Sequence, residues 1–275
     1  MNYRHAYHAG NFADILKHLV LFLCLDRLKQ KDTPFFVLDA HAGCGVYDLK
    51  SAQAQKTKEY EGGVARVLSM THKTPDLALF AAQLEKDFKR QRYPGSPMLI
   101  ARLLRAQDRL LANELHPQDV ETLKANMGGY KNVRVLQMDA YEAARAHLPP
   151  PERRGLVLID PPFEIENNEF GVLAHQLKEW KKRWETGSYL IWYPEKAQQP
   201  VEPFFDALKE SGFKEFWRAT LELPAPAEPE KAGKLLKTGI VLINPPYQVP
   251  ERFQALQAEL ESALKGRVWQ QITTI

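Results

Sequence analysis

Leu156-Val157-Leu158-Ile159-Asp160-Pro161-Pro162-Phe163 is a run of four aliphatic residues that stops on an acid, two prolines and an aromatic ring. An unbroken apolar run of this length suits a strand covered on both faces, and such strands belong to parallel sheets flanked by helices. Neither proline can donate to a ladder or continue a helix, so the chain turns rigidly and holds Asp160 and Phe163 at the strand's carboxyl end. Working outward, further strand-like runs occur at 35–38, 110–114, 133–139, 189–193, 216–223 and 238–243. Helical patterns separate most of them, and Ile15, Leu16, Leu19, Val20, Leu23 and Leu28 place a helix before the first strand. This alternation predicts an α/β fold with a parallel sheet. The Pro-rich stretch 224–230 replaces a crossover helix between the last two strands, which predicts an antiparallel terminal hairpin. The expectation is a seven-stranded sheet in a single domain, 1–275, with a small helical insertion at 46–108 after the first strand.

Ligands of open α/β sheets sit beyond the carboxyl ends of the parallel strands, and Asp39, Glu114, Asp139 and Asp160 each close such a strand. Four acids facing one crevice would disfavour each other's ionisation unless a ligand with positive charge and many donors relieved them. S-adenosylmethionine has a sulfonium, an amino group, two ribose hydroxyls and an adenine amine. Glu114 is placed to accept the ribose hydroxyl protons, Asp139 with the Ala140 amide to read the adenine edge, and the turn Ala42-Gly43-Cys44-Gly45 to let backbone approach. The plainer readings are that Asp39 and Asp139 cap helices and that Glu114 belongs to a surface ion pair. NAD is the competing ligand, but the first turn lacks a full Gly-x-Gly-x-x-Gly fingerprint.

The Asp160 loop resembles the Asp/Asn-Pro-Pro-aromatic signature of amino-methyltransferases. The lone pair of an exocyclic base amine is delocalised into its ring; a carboxylate (Asp160) and a carbonyl (Pro161) that accept the two amine hydrogens localise it, while an aromatic ring (Phe163) stacks on the extruded base. A second match, Asn244-Pro245-Pro246-Tyr247, follows the aliphatic run at 240–243. If that strand is antiparallel, Asn244 ends at the opposite rim and is structural.

Composition narrows the class. The chain has 275 residues and 44% hydrophobic content, enough for a full core, and a net charge of +3 that permits nucleic-acid binding without requiring it. Two cysteines, Cys24 and Cys44, are too few for a disulfide framework or a four-ligand zinc centre, and no metal is expected. No apolar run is long enough to span a bilayer, so a cytoplasmic enzyme is expected, with no stable protein partner and a monomeric state.

The amino terminus, Tyr3-Arg4-His5-Ala6-Tyr7-His8-Ala9-Gly10-Asn11-Phe12-Ala13-Asp14-Ile15-Leu16-Lys17-His18, is dense in histidine, aromatic and cationic residues. With Leu38-Asp39-Ala40-His41-Ala42-Gly43, Tyr93-Pro94-Gly95-Ser96-Pro97, Asn113-Glu114-Leu115-His116-Pro117 and the Asp160 loop, it resembles the RlmJ family of 23S ribosomal RNA adenine-N6 methyltransferases along essentially the whole chain. The resemblance implies a Rossmann-like class I S-adenosylmethionine-dependent fold. It implies cofactor contacts at His18, His41, Ser96, Glu114, Asp139, Ala140 and Asp160, catalysis by Asp160, and service to the 23S RNA by Tyr3 and Lys17. Lys17 is accordingly expected to direct its ammonium toward the RNA, so that its loss lowers turnover without lowering stability. Phe163 stands where tyrosine is common in the motif. A DNA adenine or cytosine amino-methyltransferase, or a catalytically silent RNA-binding protein, remains the alternative from sequence alone.

Overall fold

The structure, a computed structural model, describes residues 4–163, 168–196, 200–225 and 235–274. After a short 3-10 turn at His5–Tyr7, helix α1 (Phe12–Lys29) leads into β1 (Phe36–Asp39). Next come β2 (Val46–Asp48), α2 (Ala52–Thr57), α3 (Glu59–Gly62), α4 (Val64–Leu68), α5 (Pro75–Phe88), β3 (Arg92–Pro94) and α6 (Ser96–Leu103). Strands and helices then alternate through β4 (Arg109–Asn113), α7 (Pro117–Met127), β5 (Val133–Leu136), α8 (Ala140–His147), β6 (Gly155–Ile159), α9 (Glu169–Arg183), β7 (Ser188–Pro194) and α10 (Glu202–Lys209). The chain closes with β8 (Glu215–Glu222), β9 (Lys237–Ile243), α11 (Val249–Leu264) and β10 (Arg267–Thr274).

The main sheet has the order β10-β8-β9-β7-β6-β1-β4-β5. Its five strands β5, β4, β1, β6 and β7 are mutually parallel, and β9 runs antiparallel to both β7 and β8. The parallel core and the terminal antiparallel pair agree with the sequence pattern, but the sheet has eight strands rather than seven. The extra one is β10, an edge strand antiparallel to β8. Only Val268 in it is buried, so its sequence carries no apolar run to announce a strand. The segment 46–108 also departs from expectation, since β2 and β3 pair as a two-stranded ribbon. Each is three residues long, too short to show a period.

Two apolar layers sandwich the sheet. On one face α1, α6, α11 and the helices of 46–108 pack together, with Leu77, Phe80, Ala81 and Leu84 of α5 presenting one helical stripe and Phe22 meeting Phe80 at 6.0 Å. On the other face Trp180, Trp184, Phe204, Phe205 and Phe213 cover β6 and β7. Helix α1 is buried nearly all round, including Asp14, Lys17 and His18, which explains why its polar residues must find partners inside the protein. Among the described residues no helix is long and apolar enough to cross a membrane, and no three His, Cys, Asp or Glu side chains converge as a metal site would need.

Strand direction separates the two Pro-Pro motifs. Tyr189, near the start of β7, pairs with Ile243 at the end of β9, so Asn244 lies at the rim where β7 begins. Ile159 ends β6, which runs parallel to β7, so Asp160 lies toward the other rim, where the parallel strands end. At its own rim Asn244 donates to the carbonyls of Glu185 and Gly187 and tethers the entry to β7.

Candidate active site

The carboxyl ends of β1, β4, β5 and β6 surround one cavity, lined by His18, His41, Ser96, Glu114, Asp139, Ala140, Asp160 and Pro161 together with Lys17. All the residues expected at the cofactor therefore meet in one place. Tyr3 lies outside the described residues.

Glu114 follows β4 and is aimed by backbone: its Oε2 accepts from Gly43 N–H and its Oε1 from His116 N–H, both at 2.8 Å. Gly43 has φ +59°, and a Cβ there would stand 2.1 Å from the Tyr47 hydroxyl, so the turn that presents its N–H needs glycine. Burial raises the Glu114 carboxyl above its usual value, with the two N–H groups opposing the rise. Asp139 combines two readings, because its Oδ1 caps α8 by accepting from Tyr141 and Glu142 N–H while the residue also lines the cavity. Asn113, whose role sequence reasoning missed, donates to the carbonyls of Ala40 and Met138 and accepts from Met138 N–H, stapling the loops after β1, β4 and β5. An amide ending a strand of aliphatics was the available signal.

His41 accepts the Asp160 N–H at its Nδ1, 3.3 Å away, and burial lowers its pKa to about 4. The ring is thus neutral with its hydrogen on Nε2. His18, lowered by burial to about 3, lies 2.7 Å from the Tyr93 hydroxyl and stacks on that ring. Both imidazoles are polar but uncharged at neutral pH.

Lys17, expected to direct its ammonium toward the RNA, lines the cavity with that ammonium engaged by carboxylates. Its side chain is 5% exposed, and its ammonium bridges Asp14 at 2.9 Å and Asp160 at 2.5 Å. A helix buried on all sides gives a lysine no path to solvent, so the charge is met by carboxylates instead. Burial alone would favour the neutral amine, but Asp14 and then Asp160 outweigh it and hold the proton above the ordinary lysine range. Asp14 in turn accepts from Gly10 N–H at 2.9 Å, with Gly10 at φ +79°, and lies 3.0 Å from His5 Nε2. Burial opposes its ionisation, yet His5 and Lys17 keep its carboxyl well below the usual value. The amino-terminal motif is therefore the scaffold that seats the ammonium beside Asp160.

Phe163 does not line the cavity. It is 1% exposed and packs on Phe170 and Trp192, its ring centroids 4.8 and 5.8 Å from theirs. The turn after the two prolines, with φ +45° at Phe163, directs the ring into the core rather than over a ligand.

Asp39 is fully buried behind the cavity, and neither carboxylate oxygen has a hydrogen-bond partner among the described residues. Burial pushes it up to about 7, and the Asp160 charge adds to the rise. A carboxyl raised in the folded state binds its proton more tightly there than in the unfolded chain, so it lowers stability as pH climbs from about 4 toward 7. Asp39→Asn is expected to raise the melting temperature at pH 7 and to flatten that slope. A thermal melt series showing equal slopes for the two proteins would contradict it.

Comparison with known proteins agrees with this arrangement. The family model described as "Ribosomal RNA large subunit methyltransferase D, RlmJ" matches residues 32–271. The chain belongs to the RlmJ family. Two curated relatives named "Ribosomal RNA large subunit methyltransferase J" are similar over 268 residues. The Haemophilus influenzae protein is 38% identical and the Escherichia coli protein 36%, each alignment covering 96% of this chain and 94% of the relative. A crystal structure of protein LPL1258 from Legionella pneumophila superposes with a TM-score of 0.84 at 34% identity, covering 97% of this chain and 98% of that one.

The residues present fit the methyl donor expected of such a family. Glu114 has both oxygens fixed by N–H groups, Asp139 keeps Oδ2 clear of its capping bonds, and Leu115 offers an apolar side chain, 47% exposed, in the same cavity. Fixed acceptors beside an apolar surface suit a ribose and a purine face.

Proposed function

We propose that this RlmJ-family protein methylates the N6 amine of an adenine in 23S ribosomal RNA, with S-adenosylmethionine as donor. The observation that carries the reading is that Lys17, Asp160, Pro161 and Pro162 line two cavities at once: the one beyond the strand ends, and a larger one bounded by His8, Asn11, Glu59, Trp192 and Lys196. A donor in the first and a base in the second would meet at Asp160. S-adenosylmethionine, when bound, supplies an electrophilic methyl on its sulfonium. Asp160 and the Pro161 carbonyl accept the two amine hydrogens and so localise the nitrogen lone pair for in-line attack. Lys17 fixes the position of the Asp160 carboxylate through their 2.5 Å contact. His41, neutral and hydrogen-bonded to the Asp160 N–H, holds the loop against β1. Glu114 binds the ribose, and Asp139 with Ala140 reads the adenine edge.

The relatives' names support ribosomal RNA of the large subunit as substrate. Labelled methyl transfer to naked 23S RNA, to assembled large subunits and to DNA tests the reading. RNA is expected to be labelled and DNA not, and the reverse would favour a DNA amino-methyltransferase. Glu114→Gln is expected to weaken S-adenosylmethionine binding by about 1–3 kcal/mol, because an amide nitrogen would face a donor and lose a charged acceptor. Unchanged affinity by calorimetry would remove Glu114 from the donor site.

A further inference from the structure

An adenine taken out of its stack needs an aromatic face to replace its lost neighbours. Phe163, next to the prolines, is turned into the core and offers none. Trp192 is the ring beyond it. Ile191 pairs with Ile159 across the parallel strands β7 and β6, so Trp192, among the last residues of β7, comes level with Asp160 just past the end of β6. Its strand neighbours Ile191 and Tyr193 are fully buried, whereas Trp192 is half-buried and lines the larger cavity with Asp160, Pro161 and Pro162. Phe163 meets it edge-on, with 66° between the ring planes, and so backs the indole. The Lys17 ammonium lies 6.0 Å from its ring centroid. Leu223, Leu235 and Leu236 add apolar lining to the same cavity.

Resting on the reading that adenine is the methyl acceptor, we propose that the Trp192 indole is the surface on which the extruded adenine stacks, with Phe163 acting as its buttress. The aromatic function of the Asp-Pro-Pro-Phe loop is thereby passed from Phe163 to a residue on the next strand. The base held against Trp192 would present its amine to Asp160 and Pro161 on the adjoining strand end.

Tryptophan emission, titrated with adenosine 5′-monophosphate in saturating S-adenosylhomocysteine, reads the contact directly. Of the other tryptophans, Trp180, Trp184 and Trp217 are at most 4% exposed, and Trp269 lies on the edge strand β10. Quenching is expected in the wild-type chain and not in Trp192→Phe. In steady-state assays on undermethylated 23S RNA, Trp192→Leu is expected to lower kcat/KM roughly ten- to a hundredfold, and Trp192→Phe to recover most of it, with S-adenosylhomocysteine affinity unchanged in both. Absence of quenching in the wild type, equal quenching in Trp192→Phe, or full activity in Trp192→Leu would overturn the proposal. Should Trp192→Leu not fold, the Trp192→Phe titration decides alone. A wild-type chain that shows the quench but methylates no adenine would refute the proposed function and leave the stacking surface standing.

Discussion

Asp160→Ala is expected to lower methyl transfer by roughly 10²–10⁴-fold while the protein stays folded. The substitution removes the acceptor that localises the amine lone pair, but little of the framework depends on that side chain. Lys17 keeps Asp14 at 2.9 Å, and the bond from the backbone N–H of residue 160 to His41 survives. Asn244→Ala makes the matched control, because local sequence treats the two motifs alike. It removes two hydrogen bonds to the carbonyls of Glu185 and Gly187 at the far rim, so about 1–3 kcal/mol of stability should go while activity stays. A folded but inactive Asn244 variant beside an active Asp160 variant would reverse the catalytic assignment.

Lys17→Ala is expected to cost both stability and activity. It leaves the carboxylates of Asp14 and Asp160, 2% and 18% exposed, without the ammonium between them. Breaking a buried pair by removing one partner typically costs about 3–5 kcal/mol. A fall in melting temperature of roughly 6–10 °C follows for a chain of this size. The pH dependence has a definite sign. Asp14, held below the ordinary aspartate range, contributes stability that is present above that range and is lost as pH falls through its lower folded pKa. Lys17, held above the ordinary lysine range, contributes stability that is fully present below that range and is lost only in strong alkali. The destabilisation by Lys17→Ala should therefore be constant across neutral pH and shrink in acid, as urea titrations at several pH values would reveal. A variant with wild-type melting temperature would mean that the ammonium serves the RNA without supporting the fold.

Much of the fold was legible because burial imposes simple patterns. The run 156–159 occupies β6 within one residue of its expected limits, and the Pro-rich stretch correctly marked the pair β8 and β9 as antiparallel. Elements without an apolar run or without length were not legible: only Val268 of β10 is buried, and β2 and β3 are three residues each. The cavity acids could be found from their places at strand ends. What those side chains touch could not be read, because it depends on contacts distant in sequence. Lys17 meets Asp160 across 143 residues, and His18 meets Tyr93 across 75. Phe163 shows the limit of a motif, since a left-handed backbone after the second proline sends its ring inward.

The central claim is that Asp160 directs methyl transfer to the N6 amine of adenine in 23S RNA. It is tested most directly by nucleoside mass spectrometry of undermethylated 23S RNA after reaction with S-adenosylmethionine carrying a deuterated methyl group. Wild-type and Asn244→Ala proteins should place the label in N6-methyladenosine, and Asp160→Ala should place at most a trace of it in the same time. Label in any other nucleoside, or in N6-methyladenosine at wild-type yield from Asp160→Ala, would contradict the account.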